Sequence, residues 1–374
     1  MKKPLSKLLL AIGLMSGTSM DGIDAVLIET DGEDRVQCRD AHHASYDAGF
    51  RERLRMALQD AAGMTERDSR PGCLGDVERE LTGRHADAVA GLLQSAGLTA
   101  GDADLIAFHG QTVLHRPEQG LTVQIGDGGK LAADTGIDVV YDLRAADVAA
   151  GGQGAPLAPA YHRAMAAQIG GGPMAVLNIG GVANVTFIEG DGALVAFDTG
   201  PGNALLDDWV FSRTGDAFDV DGRYSGIGNV DQSVLAALMS DAYFAAPPPK
   251  SLDRNHFPAA GLAQLDVADG AATLAAFTIE AIAAAAQHAV EPPQRWIVCG
   301  GGRHNQAIME GLRARLSGPV LSAEDAGFRG DAIEAEAWAY LGVRSVLGLP
   351  ITFPGTTGVA AEQTGGVIAR AEGA

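Results

Sequence analysis

Asp198 ends the apolar run Leu194–Phe197 and is followed by Thr199-Gly200-Pro201-Gly202-Asn203. This pattern presents a carboxylate at a strand end with bare backbone beside it for a ligand. Three other stretches concentrate small residues and hydrogen-bond donors. Ser16-Gly17-Thr18-Ser19-Met20-Asp21-Gly22 separates two β-prone runs, Leu8–Met15 and Ile23–Thr30. Its small residues let backbone N–H groups approach a phosphate, and its hydroxyls add donors. Asp21 cannot bind phosphate directly, but it can hold Mg²⁺ through water. Asn178-Ile179-Gly180-Gly181-Val182-Ala183-Asn184 offers the same chemistry in the other half of the chain. Val298-Cys299-Gly300-Gly301-Gly302-Arg303-His304-Asn305 reads as strand, glycine turn and helix, where a flat ligand such as a purine can lie against main chain.

These groups need strands to carry them and helices to hold the strands. The first tip sits between the two runs of a hairpin. A second hairpin runs from Ala175–Ile179 to Val185–Ile188, with Gly180–Asn184 as its turn, and Leu194–Phe197 adds a third strand. Two similar hairpins in two halves indicate internal duplication. Helical spacing marks Arg51–Ala62, Val77–Ala96, Thr273–Val290, a segment from about Asn305 to Leu316, and Ala332–Leu347. Ala245–Asn255, with three consecutive prolines, and Phe353–Gly358 read as surface loops, and Asp31–Asp40 as an acidic loop. Strands alternating with helices, with polar strand ends, indicate an α/β protein.

The chain has 374 residues, 47% of them hydrophobic, enough for a sizeable core and two domains at roughly 100–200 residues each. A formal charge of −20 repels nucleic acid and anionic membrane and argues against both as partners. It leaves room for one phosphate ligand held by local backbone dipoles. Cys38, Cys73 and Cys299 are scattered and form no CxxC, so neither a disulfide framework nor a zinc site is implied. No run of apolar residues reaches the roughly 18 that would span a membrane. Lys2, Lys3 and Lys7 precede Leu8–Leu14, but that run is short and no small-x-small cleavage site follows. It reads as an opening strand, and the expected location is cytoplasmic. P-loop, dinucleotide and H-E-x-x-H motifs are absent, so phosphate binding falls to the hairpins.

Two phosphate hairpins followed by a strand-Gly-Gly-Gly-helix element resemble the actin/hexokinase/Hsp70 superfamily. Within it, Gly13-Leu14-Met15-Ser16-Gly17-Thr18-Ser19-Met20-Asp21-Gly22-Ile23-Asp24 resembles the opening signature of anhydro-N-acetylmuramic acid kinases. Four more blocks agree in order: His109–Thr112 with Val123–Gly126, Asp147–Leu157, Leu177–Gly181 and Phe197–Asn203. The resemblance implies a two-lobed, duplicated, ribonuclease H-like α/β fold with ATP and sugar in an interdomain cleft. It places a first lobe at 1–145 and a second at 146–359, with 360–374 returning to the first. It further implies ATP and Mg²⁺, and a kinase that opens the 1,6-anhydro ring of 1,6-anhydro-N-acetylmuramic acid with water and phosphorylates O6, in cell-wall recycling.

By the same resemblance Asp198 is the base that activates water, and Glu334 is the acidic residue that orients it. Glu336, two residues on, is expected to face solvent. Nucleotide contacts are expected from Ser16, Gly17, Thr18, Ser19, Met20, Asp21, Gly22, Ile23 and Asp24, from Asn178, Gly180, Gly181 and Asn184, and from Gly300, Gly301, Gly302 and Asn305. His109, Gln111, Thr112, Gln124, Gly200 and Asn203 are expected on the sugar. Small-molecule substrates are then the partners, and a homodimer is compatible with them. The rivals are a plain sugar kinase of the same superfamily and a nucleotide-gated binding protein.

Overall fold

The computed structural model describes residues 7–17, 19–254, 256–257 and 261–371. Thr18, assigned to phosphate above, lies outside the described residues, as do Lys2, Lys3, Asn255 and the last three residues of the 360–374 stretch. The chain forms two compact units, Met1–Gln168 with Ala332–Ala374, and Ile169–Asp331. The break therefore falls later than residue 145, and the return begins well before residue 360. The reason is packing: the helix Ile333–Val346 lies on the first unit's sheet and also meets the helix Pro159–Gln168.

In the first unit, β1 (Leu9–Met15), β2 (Gly22–Thr30), β3 (Val36–Ser45), β4 (Leu105–Phe108), β7 (Val139–Tyr141) and β13 (Val367–Ala369) form one sheet, ordered β13-β7-β4-β1-β2-β3. β5 (Gln111–Arg116) and β6 (Leu121–Ile125) form a separate antiparallel pair. The opening apolar run is thus a central strand. Its period of two divides its side chains between faces. Ile12 and Leu14 join Leu74, Val77, Leu81 and Phe108 in the core with the helix Leu74–Ala96. Gly13 faces the other way, where a Cβ would strike the Ala335 carbonyl, so only glycine lets the helix Ile333–Val346 come this close.

In the second unit, β8 (Met174–Ile179), β9 (Val182–Ile188), β10 (Leu194–Pro201), β11 (Trp296–Cys299) and β12 (Val320–Ser322) are ordered β10-β9-β8-β11-β12. Both sheets follow one plan. Three consecutive strands meander antiparallel, the first of them then pairs parallel with a fourth, and the fourth pairs parallel with a fifth. The duplication expected from two hairpins is therefore present at the level of topology. Leu177, Val185, Phe187, Trp296 and Val298 pack with Leu206, Trp209, Leu274, Ile282 and Ile308 into the second core.

Several readings of the sequence are corrected. The second half of Asp31–Asp40 is strand: β3 alternates half-exposed and exposed residues, so it carries no apolar stripe. Phe353–Gly358 contains a short helix, Pro354–Thr357. The helix read as Thr273–Val290 starts earlier, at Val267, where Asp266 accepts from the Asp269 amide as its N-cap. Val267–His288 is long and apolar enough to cross a membrane by length and composition, although Asp269 and Glu280 interrupt its apolar run. Its apolar residues are spent inside the unit, where Ala271, Leu274, Phe277 and Ile282 are buried.

Candidate functional site

The second unit brings three glycine-rich segments together. The β8–β9 turn is tighter than expected: Gly180-Gly181 alone connects the strands, and Val182, Ala183 and Asn184 already belong to β9. Asn184 is therefore a ladder residue opposite Asn178 and Asp198, not a turn residue. Asn203 closes on the turn. Its amide donates to the Gly180 carbonyl at 2.7 Å and its Nδ2 to the Ile179 carbonyl at 3.1 Å. The Gly202 and Ala204 amides both donate to the Gly181 carbonyl. A Cβ on Gly202 would collide with the Gly180 carbonyl, and one on Gly300, at φ +74°, with Asn178 Oδ1. Turn, Asn203 and Gly300–Gly302 thus form one close-packed main-chain floor.

That floor borders a cavity of about 420 Å³, lined by Asn203, Leu206, Asp207, Phe218, Asp219, Asp221, Gly301, His304 and Asn305. Leu206, Phe218 and Gly301 give it apolar and bare-backbone walls. Asn305 does not offer a free side chain. It caps the helix Gln306–Arg315 by accepting from the Ile308 amide at 3.1 Å. Asp219 is likewise engaged, accepting from the Tyr224 and Ser225 amides and from the Ser225 hydroxyl. The Asp207 carboxylate accepts no hydrogen bond among the described residues. Burial, with the charges of Asp208 and Asp219, pushes its carboxyl up to about 7 against the pull of Arg254.

Asp198 lies on β10, an edge strand, at a break in register between Asp198 and Gly200. Its neighbour Phe197 enters the core, so Asp198 points to the opposite face. Oδ2 accepts from the Leu252 amide at 2.8 Å, and Oδ1 accepts none among the described residues. Burial raises the carboxyl to about 6, against the smaller pull of the Leu252 amide. Such a group is ionised at neutral pH yet basic enough to take a proton. Gly200 gives room for the chain here, since a Cβ would meet that of Ala281 at 2.6 Å.

In the first unit, the β1–β2 tip is braced from beneath. The Ser16 hydroxyl is fully buried, donates to Gln111 Oε1 at 2.7 Å and meets the Tyr46 hydroxyl at 2.9 Å. Gln111 Nε2 donates to the Gly17 carbonyl. The side chains of Ser16 and Gln111 thus support the tip. Ile23 is a core residue paired with Ala44, and Gly22 packs on the His43 ring. Asp24 meets His43 Nδ1 at 2.8 Å. What the tip presents is Gly17, Ser19, Met20 at φ +53°, and the exposed Asp21, whose Oδ1 accepts from Ser19.

A buried polar chain extends from this tip. His109 Nδ1 donates to the Ser16 carbonyl at 3.1 Å, which leaves Nε2 as the acceptor for the Thr112 hydroxyl at 3.4 Å. Thr112 in turn accepts from Gln124 Nε2 at 3.3 Å. Burial, helped by the charge of Arg144, lowers His109 to about 3, so it is a neutral ring. Trp338 meets His109 edge-on at 4.7 Å, and Arg144 lies over the Trp338 ring at 5.0 Å. Trp338 Nε1 and Gln124 Oε1 are buried with no hydrogen-bond partner among the described residues. Orphans of this kind are rare in folded proteins.

Glu334 is exposed on the first turn of the helix Ile333–Val346. Glu336 reverses expectation: it is buried and accepts from the Tyr161 hydroxyl. Residues Ala335 to Arg344 of that helix are all buried, so helical phase could not choose the solvent side. Sequence reasoning also missed Asp207, Phe218, Tyr243, Lys250 and Leu252. The first two lie just beyond Asn203. The last three flank a proline run that gave no signal beyond loop.

The family described as anhydro-N-acetylmuramic acid kinase matches residues 9–371. The chain is 53% identical over 372 residues to the anhydro-N-acetylmuramic acid kinase of Methylobacterium nodulans, covering 96% of this chain and 99% of that relative. It is 52% identical over 367 residues to that of Agrobacterium fabrum, covering 96% and 98%. Among solved structures it is similar to a ROK family glucokinase from Streptomyces griseus in complex with glucose and AMPPNP. There the identity is 15% and the TM-score 0.43, over 89% of this chain and 98% of that one.

Proposed function

The chain belongs to the anhydro-N-acetylmuramic acid kinase family, and we propose that it uses ATP and water to convert 1,6-anhydro-N-acetylmuramic acid into N-acetylmuramic acid 6-phosphate and ADP. The observation that carries this reading is Asp198. It is a half-buried carboxylate with one oxygen that accepts no hydrogen bond among the described residues and a pKa raised to about 6, beside the glycine-rich floor. A group of this kind takes a proton from water near neutral pH. The water oxygen forms a bond to C1 while the C1–O6 bond breaks. O6 then bonds to the γ-phosphorus, and ADP departs with the electron pair of the broken P–O bond.

The remaining parts take complementary roles. In each unit taken by itself a glycine-rich turn, β1–β2 or β8–β9, offers main-chain amides that suit phosphate, and in the second unit the 420 Å³ cavity suits the nucleoside. Phe218 and Leu206 supply it with apolar walls for a base. Gln124 Oε1 and Trp338 Nε1 would satisfy an amide and a hydroxyl of the amino sugar, alongside Thr112. Glu334 is proposed to orient the attacking water. Among the described residues no three His, Cys, Asp or Glu side chains gather to hold a metal ion. The exposed carboxylate of Asp21 still fits Mg²⁺ held through water, since that ion keeps most of its ligands as water and phosphate oxygens. Bound there with ATP, it would spread the charge that builds on the phosphoryl group.

The test is ADP release measured with and without the anhydro sugar in ¹⁸O-labelled water. The expected result is sugar-dependent ADP release with one label at C1 and none in the phosphate. Turnover without label at C1 would make the chain a plain sugar kinase. ADP release independent of sugar would remove the kinase reading.

A further inference from the structure

β10 is an edge strand, so the outward N–H and C=O of Asp198 have no partner strand. A short segment of irregular chain takes that place. The Asp198 amide donates to the Lys250 carbonyl at 3.1 Å. Its carbonyl accepts from the Tyr243 hydroxyl at 2.6 Å. Its Oδ2 accepts from the Leu252 amide at 2.8 Å. Three bonds from one segment thus fix both main-chain groups of Asp198 and one of its carboxylate oxygens. The segment is itself stapled: Lys250 Nζ donates to the Tyr243 carbonyl at 2.9 Å and lies 4.7 Å above the Tyr243 ring and 5.4 Å above Phe197. Phe244 anchors it in an apolar cluster with Leu238, Phe257 and Phe277.

We propose that Tyr243–Leu252 is a strap that positions the general base, with Tyr243 and Lys250 as its positioning residues, so that Oδ1 of Asp198 is the oxygen left to take the proton. This rests on the reading of Asp198 as the base. Tyr243 does not touch the reacting atoms in this scheme; it acts through the Asp198 main chain. Lys250 works by closing the strap, since its ammonium is spent on the strap's own carbonyls and rings. The strap also keeps water from the carboxyl. The other ionisable groups packed around it are His288, edge-on to Phe197, and the Asp241–His256 pair at 3.3 Å on the strap's flanks.

Tyr243→Phe deletes one hydroxyl and keeps the ring in its aromatic surroundings. Lys250→Met keeps the apolar stem and removes the ammonium. In each variant kcat should fall about ten- to a hundredfold, as a displaced catalytic group costs, while KM for ATP stays put. The acid limb of the pH profile should move to lower pH, because a loosened strap admits water and burial is what raises Asp198. The pKa of ¹³C-labelled Asp198, followed by NMR without substrates in the full chain, should drop in both variants. Wild-type kcat with an unmoved pKa would overturn the proposal. So would a loss of Tm with kcat, KM and pKa unchanged in the folded fraction. If the wild-type protein gives no sugar-dependent ADP, the functional reading fails on its own, while the NMR titration still decides whether the strap sets Asp198.

Discussion

The Leu252 amide holds one oxygen of Asp198 at 2.8 Å and leaves the other without a hydrogen bond among the described residues. A carboxylate satisfied on one side and open on the other has a direction, which a freely solvated one lacks. With burial raising it to about 6, it is ionised above that pH and protonated below. The kcat/KM profile should therefore rise through pH 6. Asp198→Asn removes the base and keeps the shape. Turnover should fall by about 10²–10⁴-fold, the span of general base catalysis, with ATP affinity unchanged by calorimetry. Near wild-type turnover would take Asp198 out of its role.

Glu334 and Glu336, two residues apart, should separate function from stability. Tyr161→Phe strips the buried Glu336 of its hydroxyl donor, and leaving such an acceptor unsatisfied costs about 1–3 kcal/mol. Urea unfolding should show that loss, with kcat in the folded protein near wild type. Glu334→Gln, at an exposed position, should leave the urea midpoint in place and depress kcat. The reverse pattern would exchange the two assignments.

What the sequence disclosed and withheld follows from range. Gly-rich tips between apolar runs are local signals, and Ser16–Gly22, Gly180-Gly181 and Gly300–Gly302 stand at strand ends as read. Whether a side chain at such a tip faces a ligand or the interior is not local. Nothing near Ser16 in the chain shows that Tyr46 and Gln111 surround its hydroxyl. Glu336 reads as solvent-facing because its partner, Tyr161, is 175 residues away. β3 escaped notice because half its residues face solvent and the rest are only partly covered. The strap around Asp198 has no periodicity at all; only its bonds to an edge strand make it visible.

Gly202 carries a prediction about the phosphate floor. A Cβ there would meet the Gly180 carbonyl and approach the Val182 carbonyl carbon at 3.0 Å, main-chain atoms with no rotamer to change. Gly202→Ala should push Asn203 off the β8–β9 turn and cost about 1–3 kcal/mol, the usual range for overpacking. The KM for ATP should rise, and intrinsic binding of the sugar, measured without nucleotide, should hold. An unaltered KM for ATP would detach this floor from the triphosphate.

Asp207 carries a prediction about pH. Its carboxyl lines the cavity, with Asp219, Asp221 and His304 also on the wall and the Asp208–Arg254 pair beside it. Burial and the neighbouring carboxylates raise it to about 7, so it is neutral below that pH and charged above. A triphosphate entering the site then meets one more negative charge on the alkaline side. Like charges repel, so ionised Asp207 weakens the binding of a polyanion. The Kd for ATP should therefore increase through pH 7 in the wild-type protein. Asp207→Asn, neutral throughout, should flatten that dependence and bind at pH 8 as the wild type does at pH 6. A titration equally steep in both proteins would assign the proton to another group.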